Sequence, residues 1–284
     1  MNAKTIGIIV GITAVISVSV TALTLLAAGT LTAQQVEDTT QDYVWKNVHP
    51  NVRTSFNDMV VMPEISSEAF IHPFAIVIGN CYIGKMVFVA PTAVCRGDEG
   101  TPIRVNDGSN IQDGVVIHSL ETNEDGHNID GRKFTNSGER LNGDDPRFAD
   151  GYSVWVGENT SLAHGAMIHG PAWIGSNSFV GMETMIFNAK VGNSVAIGVS
   201  ATITGGVEIP DGKFVPPGKV VMTQADADAL PDRIGSAYEN TNNAVLNVNQ
   251  QLAEKYDEMN LEEIILEREK LMEKGMMETA MPNP

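Results

Sequence analysis

An aliphatic side chain recurs every six residues along most of this chain. The first series runs from Ile65 through Ile71, Val77, Ile83 and Val89 to Cys95, and the period restarts at Val105 and again at Val156. Repetition at a short fixed period is typical of a solenoid, and hexapeptide repeats predict a parallel β-helix in which three hexads complete one triangular turn. A β-sandwich would instead alternate with a period of two and turn every ~8–12 residues. The sequence therefore predicts an all-β solenoid whose periodic aliphatic residues point into the core.

Charge and length narrow the class of function. The chain has 284 residues, 43% of them hydrophobic, and a net charge of −17. The repeats favour one solenoid domain over two globular ones. Nucleic acid is excluded as a partner because its phosphates require Lys and Arg on the contacting face. A small or neutral substrate suits this charge better.

The breaks in the period define the domain organisation. We predict a signal peptide or N-terminal membrane anchor at 1–33, an extended linker at 34–64, the β-helix at 65–222 with a long acidic loop at 121–150, and a helical region with a charged, Met-rich extension at 223–284. Loops as long as 121–150 are usually functional or disordered. In the last region Val245, Val248, Leu252 and Tyr256 follow a helical period, which predicts a helix packed along the solenoid.

The N-terminal segment predicts export. After Lys4, residues 6–31 contain no charged side chain, which fits either a cleaved signal or a retained anchor. Both interpretations place the body of the chain outside the cytoplasm, secreted or attached to the outer face of the cytoplasmic membrane through 6–31.

The two cysteines have different positions relative to the hexads. Cys95 occupies an inward position, so we expect it in the core, whereas Cys81 falls outside the inward series and is free to face outward. Their spacing does not imply a disulfide.

Three histidines share the phase of the repeat. His118 and His169 each follow an inward isoleucine, and His164 comes two residues after the inward Leu162. Side chains that flank an inward position point outward, so these imidazoles belong to the surface of the prism. Three imidazoles that leave a fourth position open are the ligand set of a hydrolytic or hydrating zinc site. The pattern predicts a metalloenzyme.

Three segments around these histidines resemble the γ-class carbonic anhydrases. They are CRGDEG at 95–100, NIQDGVVIH at 110–118 and SLAHGAMIHG at 161–170, and the resemblance extends over roughly residues 65–256. The long acidic loop is similar to that of the archaeal type, whose loop carries a proton shuttle. The resemblance implies a homotrimer of left-handed β-helices that uses a metal-bound hydroxide to convert carbon dioxide to bicarbonate and a proton. It also implies a metal at each subunit interface, held by His118 and His169 of one subunit and His164 of its neighbour.

The same resemblance implies roles for the surrounding side chains. Gln112 would orient the reactive oxygen, Asn110 would hold Gln112, and Asn249 of the C-terminal helix would reach the substrate pocket. Carboxylates at the edge of a solvated loop are suited to moving protons, and the resemblance makes Glu121 the shuttle and Glu99 its accessory. It also implies an interfacial or substrate-binding network of Arg96, Asp98 and Asp113.

Other matters stay open at the level of sequence. Imidazole ligands suit Zn(II) and Fe(II), with Co(II) as a substitute, and the residues do not choose between them. The family's N-terminal active-site Trp has no counterpart, since Trp45 lies too far upstream of the first hexad. A hexapeptide acyltransferase would leave two histidines and Gln112 without a role, and a metal assay tests it. An assembly subunit without turnover is the other alternative, and an activity assay tests that.

Overall fold

The hexads form a left-handed parallel β-helix of about eight turns. This computed structural model describes residues 46–121, 123–124, 127–128, 132–258 and 270–271. The chain divides between Lys46 and Asn47 into two units, and the β-helix belongs to the second. The predicted signal or anchor segment lies outside the described residues.

Each complete turn contributes one short strand to each of three faces. The strands are numbered in chain order. The first face contains β1 (Val48–His49), β4 (Ile76–Gly79), β7 (Val94–Gly97), β10 (Val116–His118), the first parts of β17 (Met167–Ile174) and β19 (Met185–Val191), β21 (Thr202–Ile203) and β24 (Val220–Val221). The second contains β2 (Glu64–Ile65), β5 (Cys81–Ile83), β8 (Ile103–Val105), β15 (Val154–Val156), the last parts of β17 and β19, and β22 (Glu208–Ile209). The third contains β3 (Phe70–Ile71), β6 (Phe88–Val89), β9 (Asn110–Ile111), β16 (Ser161–Leu162), β18 (Phe179–Val180), β20 (Ala196–Ile197) and β23 (Phe214–Val215).

The core is the stack of inward hexad residues. Ile83, Ile117, Ile168 and Ile203 are each 0% exposed and belong to one continuous apolar cluster. Parallel pairing at about 4.8 Å per turn puts each aliphatic side chain on top of its equivalent in the next turn. Cys81 is also buried in this cluster and is not disulfide-bonded. The expectation that the side chain of Cys81 can face outward is therefore wrong, because the first residue of β5 points towards the core.

The long loop carries small elements of its own. These are β11 (Asn123–Glu124) paired with β12 (His127–Asn128), β13 (Lys133–Phe134) paired with β14 (Arg140–Leu141), and a 3₁₀ helix at Phe148–Asp150. Phe134 is fully buried, and its backbone exchanges two hydrogen bonds with that of Tyr152, of 2.8 and 2.9 Å. The second half of the loop is thereby attached to the solenoid.

The C-terminal region forms a short helix α1 (Gln224–Asp228) and a long helix α2 (Thr241–Glu258), which packs on the third face. Tyr256 stacks on Phe70 and Phe88 at ring-centroid distances of 5.0 and 6.0 Å, which fixes the end of α2 to the first turns of the solenoid. Val248 and Tyr256 of the predicted apolar stripe stay 55% and 40% exposed. Within the part of the chain that the structure describes, no helix has the length and apolar character needed to cross a membrane.

Candidate metal centre

Two of the three histidines are neighbours in an outward column of the first face. The register of β7, β10, β17 and β19 aligns Arg96, His118, His169 and Phe187. His118 and His169 are 51 residues apart, yet Nδ1 of His118 lies 3.1 Å from Nε2 of His169. Consecutive turns pair in parallel, so residues at the same position of their hexads lie side by side. This pairing brings His118 and His169 into contact.

The hydrogen bonds of this pair point a free nitrogen into the site. Nδ1 of His169 lies 2.9 Å from the carbonyl oxygen of Gly170, so it donates, and Nε2 of His169 is then the acceptor for Nδ1 of His118. Nε2 of His118 is left buried without a hydrogen-bond partner among the described residues. Oε1 of Glu99 lies 3.3 Å from that nitrogen, but the contact lacks hydrogen-bond geometry.

The surroundings keep His118 neutral. Burial, followed by the charges of Arg96 and His169, lowers the pKa of His118 to about 4. Burial also raises the pKa of Glu99, an effect that Arg96 opposes. A histidine binds a metal ion only when its imidazole is neutral. His118 is in that form across the physiological pH range.

A cavity of about 550 Å³ adjoins this pair and will be called the first cavity. Its lining consists of Glu99, His118, Leu120, Glu121, Arg132, His169, Pro171, Phe187 and Asn188. Nη1 of Arg132 donates to Oε1 of Glu121 at 2.6 Å. The two glutamates that the sequence proposed for proton transfer therefore share one cavity with two of the predicted ligands.

The third histidine faces a different cavity of the same chain. His164 lies at the corner between the third and first faces, 54% exposed, with Nδ1 at 2.9 Å from Oδ2 of Asp113. The second cavity, about 540 Å³, lies beside α2 and has an apolar wall. It is lined by Phe88, Ala90, Pro91, Gln112, Asp113, His164, Ala244, Val245, Val248, Asn249, Leu252 and Tyr256.

A buried chain of hydrogen bonds orients Gln112 at the second cavity. Nδ2 of Asn110 donates to Oγ of Ser161, and Nε2 of Gln112 donates to Oδ1 of Asn110, each at 2.9 Å. Asn110 is fully buried and Gln112 is 5% exposed. Asn249 is 7% exposed, and its Nδ2 donates to the carbonyl oxygen of Val245 one turn earlier. Its other amide atom, Oδ1, has no hydrogen-bond partner among the described residues and is available to the cavity.

The expected network of Arg96, Asp98 and Asp113 is divided within one chain. Nη1 of Arg96 contacts both carboxylate oxygens of Asp98 at 2.9 Å, beside His118 on the first face. Asp113 instead pairs with His164 at the second cavity. Within one chain Asp113 is thus paired at the second cavity, and its place in an interfacial network with Arg96 and Asp98 stays a prediction.

The predicted site thus divides into two half-sites on one chain. The first half-site is His118 and His169 with the residues of the first cavity, and the second half-site is His164 with the residues of the second. Among the described residues, no group of three His, Cys, Asp or Glu side chains is placed to hold a metal ion. The sequence analysis did not identify Arg132 as a site residue. The sequence offered only one indication of it, a basic residue within the acidic loop at 121–150.

The solenoid with its surface histidines places this chain in the class of hexapeptide-repeat β-helix proteins. No model of a known protein family matches the chain. A carbonic anhydrase of Methanosarcina thermophila is 43% identical over 216 residues, which are 75% of this chain and 83% of the relative. The chain therefore belongs to the γ-class carbonic anhydrase family.

Two other proteins are similar to this chain. The carboxysome assembly protein CcmM of Nostoc is 43% identical over 179 residues, 63% of this chain, and the match spans only 29% of that protein. The crystal structure of a hexapeptide transferase family protein from Anaplasma phagocytophilum is similar over 69% of this chain and 93% of its own, with a TM-score of 0.47 and 23% identity.

Proposed function

We propose that this chain catalyses the reversible hydration of carbon dioxide, as a homotrimer with a metal between adjacent copies. His118 and His169 of one copy and His164 of the next would hold the metal. One observation carries this proposal: the contacting imidazoles of His118 and His169 end in a buried Nε2 of His118 that has no hydrogen-bond partner among the described residues, while the imidazole of His164 faces another cavity of the same chain. A ring of copies in which each first half-site meets a second half-site completes every site.

The donor set fits a borderline divalent metal. Imidazole nitrogens bind Zn(II), Fe(II) and Co(II), so we propose Zn(II) or Fe(II) as the metal, with Co(II) as a substitute. A metal taken up here would replace the 3.1 Å contact between His118 and His169. When bound, such a metal would supply acidification of water, as zinc does in carbonic anhydrases, where it lowers the pKa of water to about 7.

The first face has the surface that such an oligomer needs. Ile76, Met185 and Val220 lie in one outward column beside the histidines and expose 40%, 47% and 48% of their area. Next to His169, Phe187 exposes a further 43%. A second copy packed on this face would remove these apolar side chains from water, at about 25 cal/mol for each Å² buried.

The second half-site suits the substrate. Nε2 of Gln112 donates to Asn110, which fixes the amide, and Oε1 has no hydrogen-bond partner among the described residues, so it can accept a hydrogen bond from a reacting water. Phe88, Val245 and Leu252 supply an apolar wall where neutral carbon dioxide can lie. Asn249, on the same wall, can accept a hydrogen bond from the hydroxyl of bicarbonate at Oδ1.

The first half-site suits the proton and the product. We assign Glu121, with a side chain 27% exposed, to the transfer of the proton from the site to buffer, and Glu99, which lies beside His118, to the same path. Arg96 lies beside His118 with 38% of its side chain exposed, so its remaining donors can bind bicarbonate once Asp98 has fixed its position.

We also propose an extracytoplasmic location, with residues 6–31 acting as signal or anchor. Support comes from the uncharged sequence of that segment. Fractionation of cells that express the full chain, with N-terminal sequencing of the product, tests it. Recovery of the intact chain in the cytosol would contradict it.

The function is tested by stopped-flow hydration of carbon dioxide. The full-length protein is purified without oxygen, loaded separately with Zn(II) and Fe(II), and analysed for metal on the same sample. We expect activity in proportion to bound metal, and its loss together with the metal in His164→Ala. A fully metallated oligomer without hydration would refute catalysis and leave an assembly role.

A further inference from the structure

Arg132 is the only cation on the wall of the first cavity among the described residues that line it. Its guanidinium donates to Oε1 of Glu121 at 2.6 Å, and the two side chains are 38% and 27% exposed. No role described so far uses Arg132, although it contacts the carboxylate assigned to proton transfer.

The backbone of Glu121 is attached to the solenoid. Glu121 forms a bridge with Gly100, and Oγ1 of Thr101 donates to the carbonyl oxygen of Glu121 at 3.2 Å. The Cα atom therefore has a defined place, and the position of the carboxylate depends on three side-chain torsions. A flexible Glu loses rotamer freedom when it is held, so a partner is needed to keep the carboxylate at one position.

Arg132 lies at the start of the packed second half of the acidic loop at 121–150. The next residue, Lys133, donates from Nζ to the carbonyl oxygen of Phe148 at 3.0 Å, and Phe134 is buried and bridged to Tyr152. The pair of Glu121 and Arg132 thus joins the two ends of the segment 122–131. A guanidinium stays protonated at every relevant pH, so it can hold the carboxylate without competing for the transferred proton.

We propose that Arg132 is a positioning residue for proton release, which holds the Glu121 carboxylate on the wall of the first cavity. The inference rests on the proposed relay function of Glu121. Because both side chains are partly exposed, the ion pair is weak enough to open, and the carboxylate can then rotate to buffer. Arg132 affects the path of the proton and leaves the interconversion of carbon dioxide and bicarbonate unchanged.

Exchange of ¹⁸O between carbon dioxide and water at chemical equilibrium separates these two steps. One rate reports interconversion, and the other reports the departure of labelled water, which requires a proton. In metal-loaded, full-length Arg132→Ala we expect unchanged interconversion and a loss of about fivefold in the departure of labelled water, the ratio that corresponds to ~1 kcal/mol for a partly exposed ion pair. Arg132→Lys should recover part of the rate, and added imidazole should recover it in both variants.

Two further variants make the test specific. Arg147→Ala removes another arginine of the same loop, which pairs with Glu139 and Asp145 and does not line the first cavity. We expect it to change neither rate. In a Glu121→Gln background, Arg132→Ala should add nothing, since a residue that acts through Glu121 has no effect once the carboxylate is gone. A crystal structure of Arg132→Ala should show the Glu121 carboxylate displaced from the cavity wall.

The outcomes separate the two proposals. If Glu121→Gln alone leaves proton release unchanged, the relay function is wrong and the inference falls with it. If Glu121→Gln slows proton release but Arg132→Ala does not, or if the two losses add, only the role of Arg132 is overturned. A loss of bound metal or of interconversion in Arg132→Ala would also overturn it, because Arg132 would then support the site as a whole.

Discussion

The division of the proposed metal ligands between two half-sites predicts rescue between two inactive chains. His118→Ala damages the first half-site and His164→Ala damages the second, so oligomers of either variant alone contain no intact site. When both chains assemble together, an intact site needs the first half-site from the His164→Ala chain and the second from the His118→Ala chain. With equal random mixing each condition holds about half of the time, so about one quarter of the sites are restored in a closed ring.

The assay uses coexpression of the two variants with different affinity tags. Oligomers that carry both tags are purified and measured for bound metal and for hydration of carbon dioxide. A trimer that carries both tags has one intact site among its three, so both quantities should recover to about one third of the wild-type value per site. The matched control mixes His118→Ala with His169→Ala, which damage the same half-site, and should recover nothing. Mixed oligomers without metal, or recovery in the control, would refute an intersubunit site.

Three other perturbations test the chemistry around the ligands. Glu121→Gln should slow hydration at least about tenfold in dilute buffer, with partial recovery in imidazole, and an equal loss at all buffer concentrations would contradict a relay. Asn110→Ala leaves the buried Gln112 amide without its acceptor, so chemical denaturation should show a loss of about 1–3 kcal/mol and turnover should fall while metal content is retained. In the metal-free protein, NMR titration should show that His118 has a pKa of about 4 and is neutral at higher pH. The pKa of His118 in the folded chain lies below its unfolded value of about 6.5. The contribution of His118 to stability is therefore complete above about pH 6.5 and is lost as the pH falls from about 6.5 towards 4. Titration of His118 near about pH 6.5 in the folded protein would contradict the burial argument.

The hexad period was enough to predict the main features of the fold and the direction of the ligands. Ile117 and Ile168 repeat at a fixed phase, so each must point into the core, and the residue that follows each must point out. This inference needs only local periodicity, because alternate side chains of a strand point to opposite faces. The contact between His118 and His169 follows once the two strands occupy successive turns. The family resemblance then supplied roles that periodicity does not contain.

The sequence could not show which polar side chains contact each other when no repeat connects their positions. The pairing of Arg132 with Glu121 depends on how the two ends of a long loop are attached, and the pairing of Asp113 with His164 depends on the corner between two faces. Cys81 points inward because β5 already begins there, two residues before the inward Ile83, and the six-residue period does not show where a strand begins. Periodicity determines which side of a strand faces the core, since burial of apolar area is a property of each residue. The tertiary structure alone decides which polar groups meet, because distances across turns and loops depend on register and loop path.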